Sequence, residues 1–157
     1  PLSIAAFCTF LMIAALIMQY MFDMAPCPLC ISQRVFVIAA GVFALLGALL
    51  SERRIGLRIS IVLATLSSII GGAISARHVW IQNLPEDEVP VCGPGLGYMF
   101  ETRPMFDALS LLFTGDGHCA DINWLFLGLS IPAWTLVCFI GMAVCLAWLF
   151  IRSMKKH

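Results

Sequence analysis

Charge is absent from four long apolar stretches of the chain, residues 1–22, 35–51, 59–76 and 122–151. A helix rises about 1.5 Å per residue and a bilayer core is about 30 Å thick, so each stretch is close to or above spanning length. The pattern predicts an all-α protein, a four-helix bundle in a single membrane domain, with spans at about 2–22, 31–50, 57–78 and 125–150. Loops are expected at about 23–30 and 79–124. Pro26 and Pro28 separate the first two spans, because neither ring nitrogen donates and each disfavours helix in the residue before it. Gly41 and Gly47 in the second span, and Ser67, Ser68, Gly71, Gly72 and Ser75 in the third, offer surfaces on which helices approach closely. Within the long loop, residues 104–113 are mostly apolar and begin with a proline suited to a first turn, yet are too short to span. They predict a short helix lying on the membrane surface.

Composition agrees: 61% hydrophobic residues, 11% charged and a mean hydropathy of +0.98 exclude a soluble domain. The nine basic and nine acidic residues cancel, but their positions do not. Arg53, Arg54 and Arg58 lie between the second and third spans, and Arg152, Lys155 and Lys156 follow the fourth. The segment 85–121 instead carries Glu86, Asp87, Glu88, Glu101, Asp107, Asp116 and Asp121 against Arg103 alone. The positive-inside rule places both termini and the middle loop in the cytoplasm, with residues 23–30 and the acidic loop on the other side. The first stretch has no basic lead and no small-x-small cleavage site before Cys27, and is read as a span rather than a signal peptide.

Topology sorts the seven cysteines. Cys8, Cys138 and Cys145 fall inside apolar spans, where a thiol acts as a small hydrophobe. Cys27, Cys30, Cys92 and Cys119 fall on the acidic side, an even number where disulfides are permitted. Three readings compete for them. Two structural disulfides are one. A zinc site is another, although Cys92 and Cys119 are far apart in sequence and form no second close pair. Thiol–disulfide exchange is the third. Cys30 supports it, for a cysteine in the first turn of the second span faces unpaired backbone amides that stabilise a thiolate. Arg34 follows one turn later on the same face, placed to favour the thiolate or bind a carbonyl-bearing partner. Arg34 and His78, each otherwise an ordinary interfacial residue, together suggest the polar rim of an apolar pocket.

The stretch Cys27-Pro28-Leu29-Cys30-Ile31-Ser32-Gln33-Arg34 joins other signatures: Arg77-His78, Cys92, and Gly117-His118-Cys119-Ala120-Asp121 leading to Trp124, Pro132 and Trp134. Together these resemble the DsbB family of bacterial disulfide-bond formation proteins over nearly the whole chain. The resemblance implies a quinone-dependent thiol oxidase of the bacterial inner membrane, with its redox loops in the periplasm. Its implied partner is a DsbA-like periplasmic protein of thioredoxin fold, and its cofactor ubiquinone or menaquinone. By position, Cys92 and Cys119 become the loop disulfide that the partner attacks, at Cys92. Cys27 and Cys30 become the quinone-facing pair, with Cys30 beside the ring and Arg34 and His78 contacting it. No metal is expected. A non-catalytic four-helix subunit with two structural disulfides is one alternative. A quinone-linked thiol enzyme resembling vitamin K epoxide reductase is another, against which the cysteine order and the block after Cys119 favour DsbB.

Overall fold

A computed structural model describes residues 1–22, 26–85, 87–88, 105–115, 117–120, 122 and 125–155. Four long helices dominate it: α1 (Leu2–Met21), α2 (Pro28–Leu49), α3 (Arg54–Gln82) and, after the loop segments, α5 (Ile131–Lys155). All four are long and apolar enough to cross a membrane. The short helix expected in the loop is α4 (Met105–Thr114), and a 3-10 turn at Gly117–Ala120 follows it.

The bundle inverts a soluble protein. Its outer surface carries Phe10, Ile38, Ile69 and Val144, all exposed, while its interior mixes small residues such as Ala40, Ala44, Ala64 and Ser68 with a few large ones such as Phe139 and Leu146. On α3 the buried positions Ser60, Ala64, Ser67, Ser68, Gly71 and Ser75 recur every three or four residues, forming one face. A hydroxyl in such a face must find an acceptor. Ser67, Ser68 and Ser75 donate to the carbonyls of Leu63, Ala64 and Gly71, one turn earlier, at 2.9–3.0 Å. These hydroxyls are satisfied within their own helix and leave the face free for close packing.

Phe139 of α5 uses that face, with its ring over Gly71, where an added Cβ would stand 2.4 Å from Cζ. Phe139 is fully buried, so the ring has nowhere to retreat. Gly71→Ala is expected to destabilise the α3–α5 contact by about 1–3 kcal/mol through overpacking, read as a lowered Tm in detergent. An unchanged Tm would count against this packing. Cys8 plays the structural part expected of it. It is buried, donates to the Met142 sulfur at 3.5 Å, and its Cβ faces Gly41, where an added Cβ would lie 2.9 Å away.

Charge marks one end of the bundle. Arg58 donates to the carbonyl of Ser153 at 3.1 Å, bringing the start of α3 to the end of α5, and Arg152 lies over the Trp148 ring at 3.9 Å. At the other end the loop is tied down. Ser32 of α2 donates to the Leu112 carbonyl at 2.6 Å, and Arg77 of α3 to that of Thr114 at 3.0 Å. Arg77 thus caps the C-terminus of α4, where its charge complements the helix dipole.

The fourth span departs from expectation at its start. The apolar run Leu125-Phe126-Leu127-Gly128-Leu129 reads as helix, but Leu125–Phe126 (β1) and Leu129–Ser130 (β2) pair antiparallel. Leu127 and Gly128 both take positive φ, 52° and 78°, as a tight two-residue hairpin turn requires. Two hydrogen bonds help hold the hairpin: Ser130 donates to Gln82 Oε1 at 2.7 Å, and the Trp134 indole to the Phe126 carbonyl at 3.0 Å. Helix α5 therefore begins at Ile131, with Pro132 in its first turn.

Candidate redox centre

Pro28 occupies the first position of α2 and its missing N–H costs nothing there, so the helix starts immediately after Cys27. The Cys27 carbonyl accepts the opening helical bond from Ile31 at 3.1 Å. Cys27 is the N-cap and Cys30 lies in the first turn, an arrangement that turns both side chains the same way. Their sulfurs stand 3.1 Å apart and are not bonded to each other. Closing to a disulfide of about 2.05 Å takes a shift of about 1 Å.

His78 reaches this pair from α3. It is 2% exposed, with Nε2 3.7 Å from the Cys27 sulfur and 3.1 Å from the backbone carbonyl of Cys119. Its Nδ1 lies 3.2 Å from the side-chain nitrogen of Gln33. A carbonyl only accepts, so Nε2 carries the ring proton, and Nδ1 accepts from the Gln33 amide. Both nitrogens of a neutral imidazole are thereby engaged.

Cys119 comes from the 3-10 turn and is 1% exposed. The sulfurs of Cys27 and Cys119 and a ring nitrogen of His78 lie within 4.8 Å of one another. Cys119 also joins Leu29, Ile74 and Ile81 in an apolar cluster distinct from the main core, with Cys27 packed against it. Gly115 seats the loop on it, at φ +76° and against Leu29 and Ile81.

Arg34 goes elsewhere. Its guanidinium donates to Gln19 Oε1 and to the Ala15 carbonyl, at 3.3 Å for the latter, both on α1. Residues 33 and 34 point about 100° apart around a helix, so Gln33 meets His78 while Arg34 meets α1. The structure gathers Cys27, Cys30, His78 and Cys119, and sets Arg34 on the neighbouring face. Cys92 lies outside the described residues.

Sequence reasoning gave no role to Gln33. It is 5% exposed within a spanning helix, and polarity at such a depth is the signal that marks it. Ser32, which fastens α4, escaped for the same reason.

Four membrane-spanning helices holding three clustered cysteines and a histidine at one end define an integral membrane thiol protein. Comparison with known sequences gives the family: residues 1–149 match the model for disulfide bond formation protein DsbB. The chain is 52% identical over 152 residues to disulfide bond formation protein B of Saccharophagus degradans, covering 97% of this chain and 92% of that one. It is 47% identical over 136 residues to the protein of that name from Methylococcus capsulatus, covering 87% and 83%. With that from Chromobacterium violaceum it shares 43% over 154 residues, covering 98% and 93%. The chain belongs to the DsbB family, as a multi-pass membrane protein of disulfide bond formation.

Proposed function

We propose that the chain is an inner-membrane thiol oxidase that reoxidises a periplasmic DsbA-like dithiol protein and passes the electrons to ubiquinone or menaquinone. The observation that carries this reading is the approach of Cys119 to Cys27, because it joins a loop cysteine to the Cys27/Cys30 pair within one side chain's reach. Relays of this kind keep the bacterial periplasm oxidising. The basic end of the bundle then faces the cytoplasm and the thiol cluster the periplasm.

The approach of Cys119 to Cys27 supports the following exchange. The partner's thiolate attacks the Cys92–Cys119 disulfide at Cys92 and releases Cys119 as a thiolate. Cys119 attacks the Cys27 sulfur of an oxidised Cys27–Cys30 pair, a Cys27–Cys119 bond forms, and Cys30 leaves as a thiolate among the free amides of the first turn of α2. Once the partner has resolved its own mixed disulfide, Cys92 attacks Cys119, restoring the loop disulfide and freeing Cys27. Two electrons have then moved from the partner to Cys27 and Cys30. His78 holds the acceptor end of this path, since its bond to the Cys119 carbonyl keeps Cys119 beside Cys27.

A bound quinone supplies a two-electron, two-proton acceptor that returns Cys27 and Cys30 to the disulfide. The residues present fit it. Arg34 carries five N–H groups and gives bonds to two α1 oxygens, so it retains donors for a quinone carbonyl one turn from Cys30. His78 joins it only on letting go of Cys119, as both its nitrogens are engaged.

Purified chain in detergent, supplied with quinone, is expected to oxidise a reduced thioredoxin-fold dithiol protein catalytically. Disulfides that neither exchange nor respond to quinone would instead establish the non-catalytic reading. In the same assay Arg34→Ala removes a hydrogen bond from a charged group, worth about 1.5–3 kcal/mol. The quinone concentration at half-maximal rate should rise by about tenfold or more. An unchanged quinone dependence would remove Arg34 from the site.

A further inference from the structure

We propose that the fully reduced chain holds a thiophilic divalent cation, zinc in the first instance, between Cys27, Cys119 and His78, with Cys30 as the fourth ligand. The zinc reading of the sequence lacked a second close pair of ligands. The structure supplies the missing donor from another helix, as His78 stands with Cys27 and Cys119 inside a 4.8 Å circle.

The separation of Cys27 from His78 suits the ion. Zinc takes sulfur at about 2.3 Å and imidazole nitrogen at about 2.0–2.1 Å in a tetrahedron. That geometry sets a sulfur–nitrogen edge at about 3.6 Å and a sulfur–sulfur edge at about 3.8 Å. The Cys27 sulfur lies 3.7 Å from His78 Nε2, already on such an edge. The Cys27–Cys30 edge must open from 3.1 Å by about 0.7 Å, and Cys30 must also approach His78 and Cys119. Cys27, His78 and Cys119 are held near one another by helices and a turn tied together by hydrogen bonds, whereas Cys30 lies outside that group and must turn toward it to complete the tetrahedron.

Binding asks one rearrangement of His78. Nε2 must give up its proton and its bond to the Cys119 carbonyl, moving the proton to Nδ1. Gln33 permits this by turning its amide over, so that the oxygen accepts from Nδ1–H where the nitrogen had donated. Each thiol that ligates loses its proton to solvent, and no electron moves. While the ion is held, Cys27 and Cys30 cannot form their disulfide. The metal therefore arrests the oxidase in its reduced state, a consequence that rests on the proposed function, whereas the binding itself does not.

Cobalt(II) reports the site directly, in a chain whose Cys8, Cys138 and Cys145 are replaced by alanine. The reduced protein should show the intense absorption of tetrahedral cobalt with thiolate-to-metal charge transfer, abolished by stoichiometric zinc and absent from the oxidised protein. His78→Ala and Cys119→Ser should each weaken binding by at least about tenfold, as even loss of an outer partner of a metal ligand costs that much. Gln33→Ala should weaken it less, while circular dichroism confirms that the helices persist. Cobalt bound equally well in the His78 and Cys119 variants would reduce the site to the Cys27/Cys30 pair and overturn the proposal. So would absence of the tetrahedral spectrum in the reduced parent chain, whose fold no site substitution has touched. Oxidase turnover, measured separately without metal, tells failure of this site from failure of the enzymatic reading.

Discussion

Cys30→Ser is expected to bring quinone-coupled oxidation of a dithiol partner down to background, a loss of at least about a thousandfold, as for other residues that act as a unit with their neighbours. The variant should not be inert. Without Cys30, Cys27 has no local partner for a disulfide, but Cys119 remains within reach of it. A Cys27–Cys119 bond should accumulate on oxidation, seen by mapping disulfides under non-reducing conditions. Cys27→Ser should also end turnover, yet leave Cys30 without that cross-link, because the structure places His78 and Cys119 around Cys27. Undiminished turnover in Cys30→Ser would remove α2 from the electron path, whatever the fate of the loop.

The spans were legible because bilayer thickness imposes a length on uncharged sequence, and the small-residue face of α3 because period and residue size both survive in a linear string. The Cys27/Cys30 pair was legible as a motif at the start of the second span, but Pro28, read as a break between spans, is instead the first residue of α2 and makes Cys27 its N-cap. Pairing across the bundle was not legible. Gln33 and Arg34 are adjacent in sequence and both polar, and only the helical rotation between them sends one to His78 and the other to Gln19. Arg34 and His78, read as two sides of one rim, consequently have different neighbours. The hairpin before α5 was hidden for another reason. Leu-Phe-Leu-Gly-Leu carries the hydropathy of a span, and its turn depends on a leucine in the left-handed region, which sequence preference disfavours and which contacts to Gln82 and Trp134 accompany.

Gly115→Val is expected to detach the loop from the bundle and to cost most of the activity without unfolding the spans. Gly115 lies at φ +76°, where a β-branched residue is strained by about 1–3 kcal/mol. An added Cβ would also stand 2.8 Å from Leu29 Cδ1 and 3.2 Å from Ile81 Cδ1. Leu29 and Ile81 are 0% and 1% exposed, so neither gives way freely, and overpacking adds about 1–3 kcal/mol. Against this, besides the packing of Cys119 and Ala120 on Leu29, Ile74 and Ile81, stand three described hydrogen bonds: those of Ser32 and Arg77 to α4 and that of His78 to Cys119. Each such bond contributes about 0.5–1.5 kcal/mol, or somewhat more for the arginine. The penalty is comparable to the sum of these bonds and falls on the apolar seat itself, so the docked state ceases to dominate and Cys119 leaves Cys27. Helical circular dichroism should persist, because the buried faces of α1, α2, α3 and α5 do not include Gly115. Cross-linking of Cys27 to Cys119 in a Cys30→Ser background should slow by about tenfold or more, in line with a loss of about 1.4 kcal/mol in docking. Gly128→Ala is the control: its φ of +78° imposes similar backbone strain, but nothing lies within 4 Å of the added Cβ. If Gly115→Val cross-links as fast as the parent, the loop is held to the bundle by contacts other than this seat.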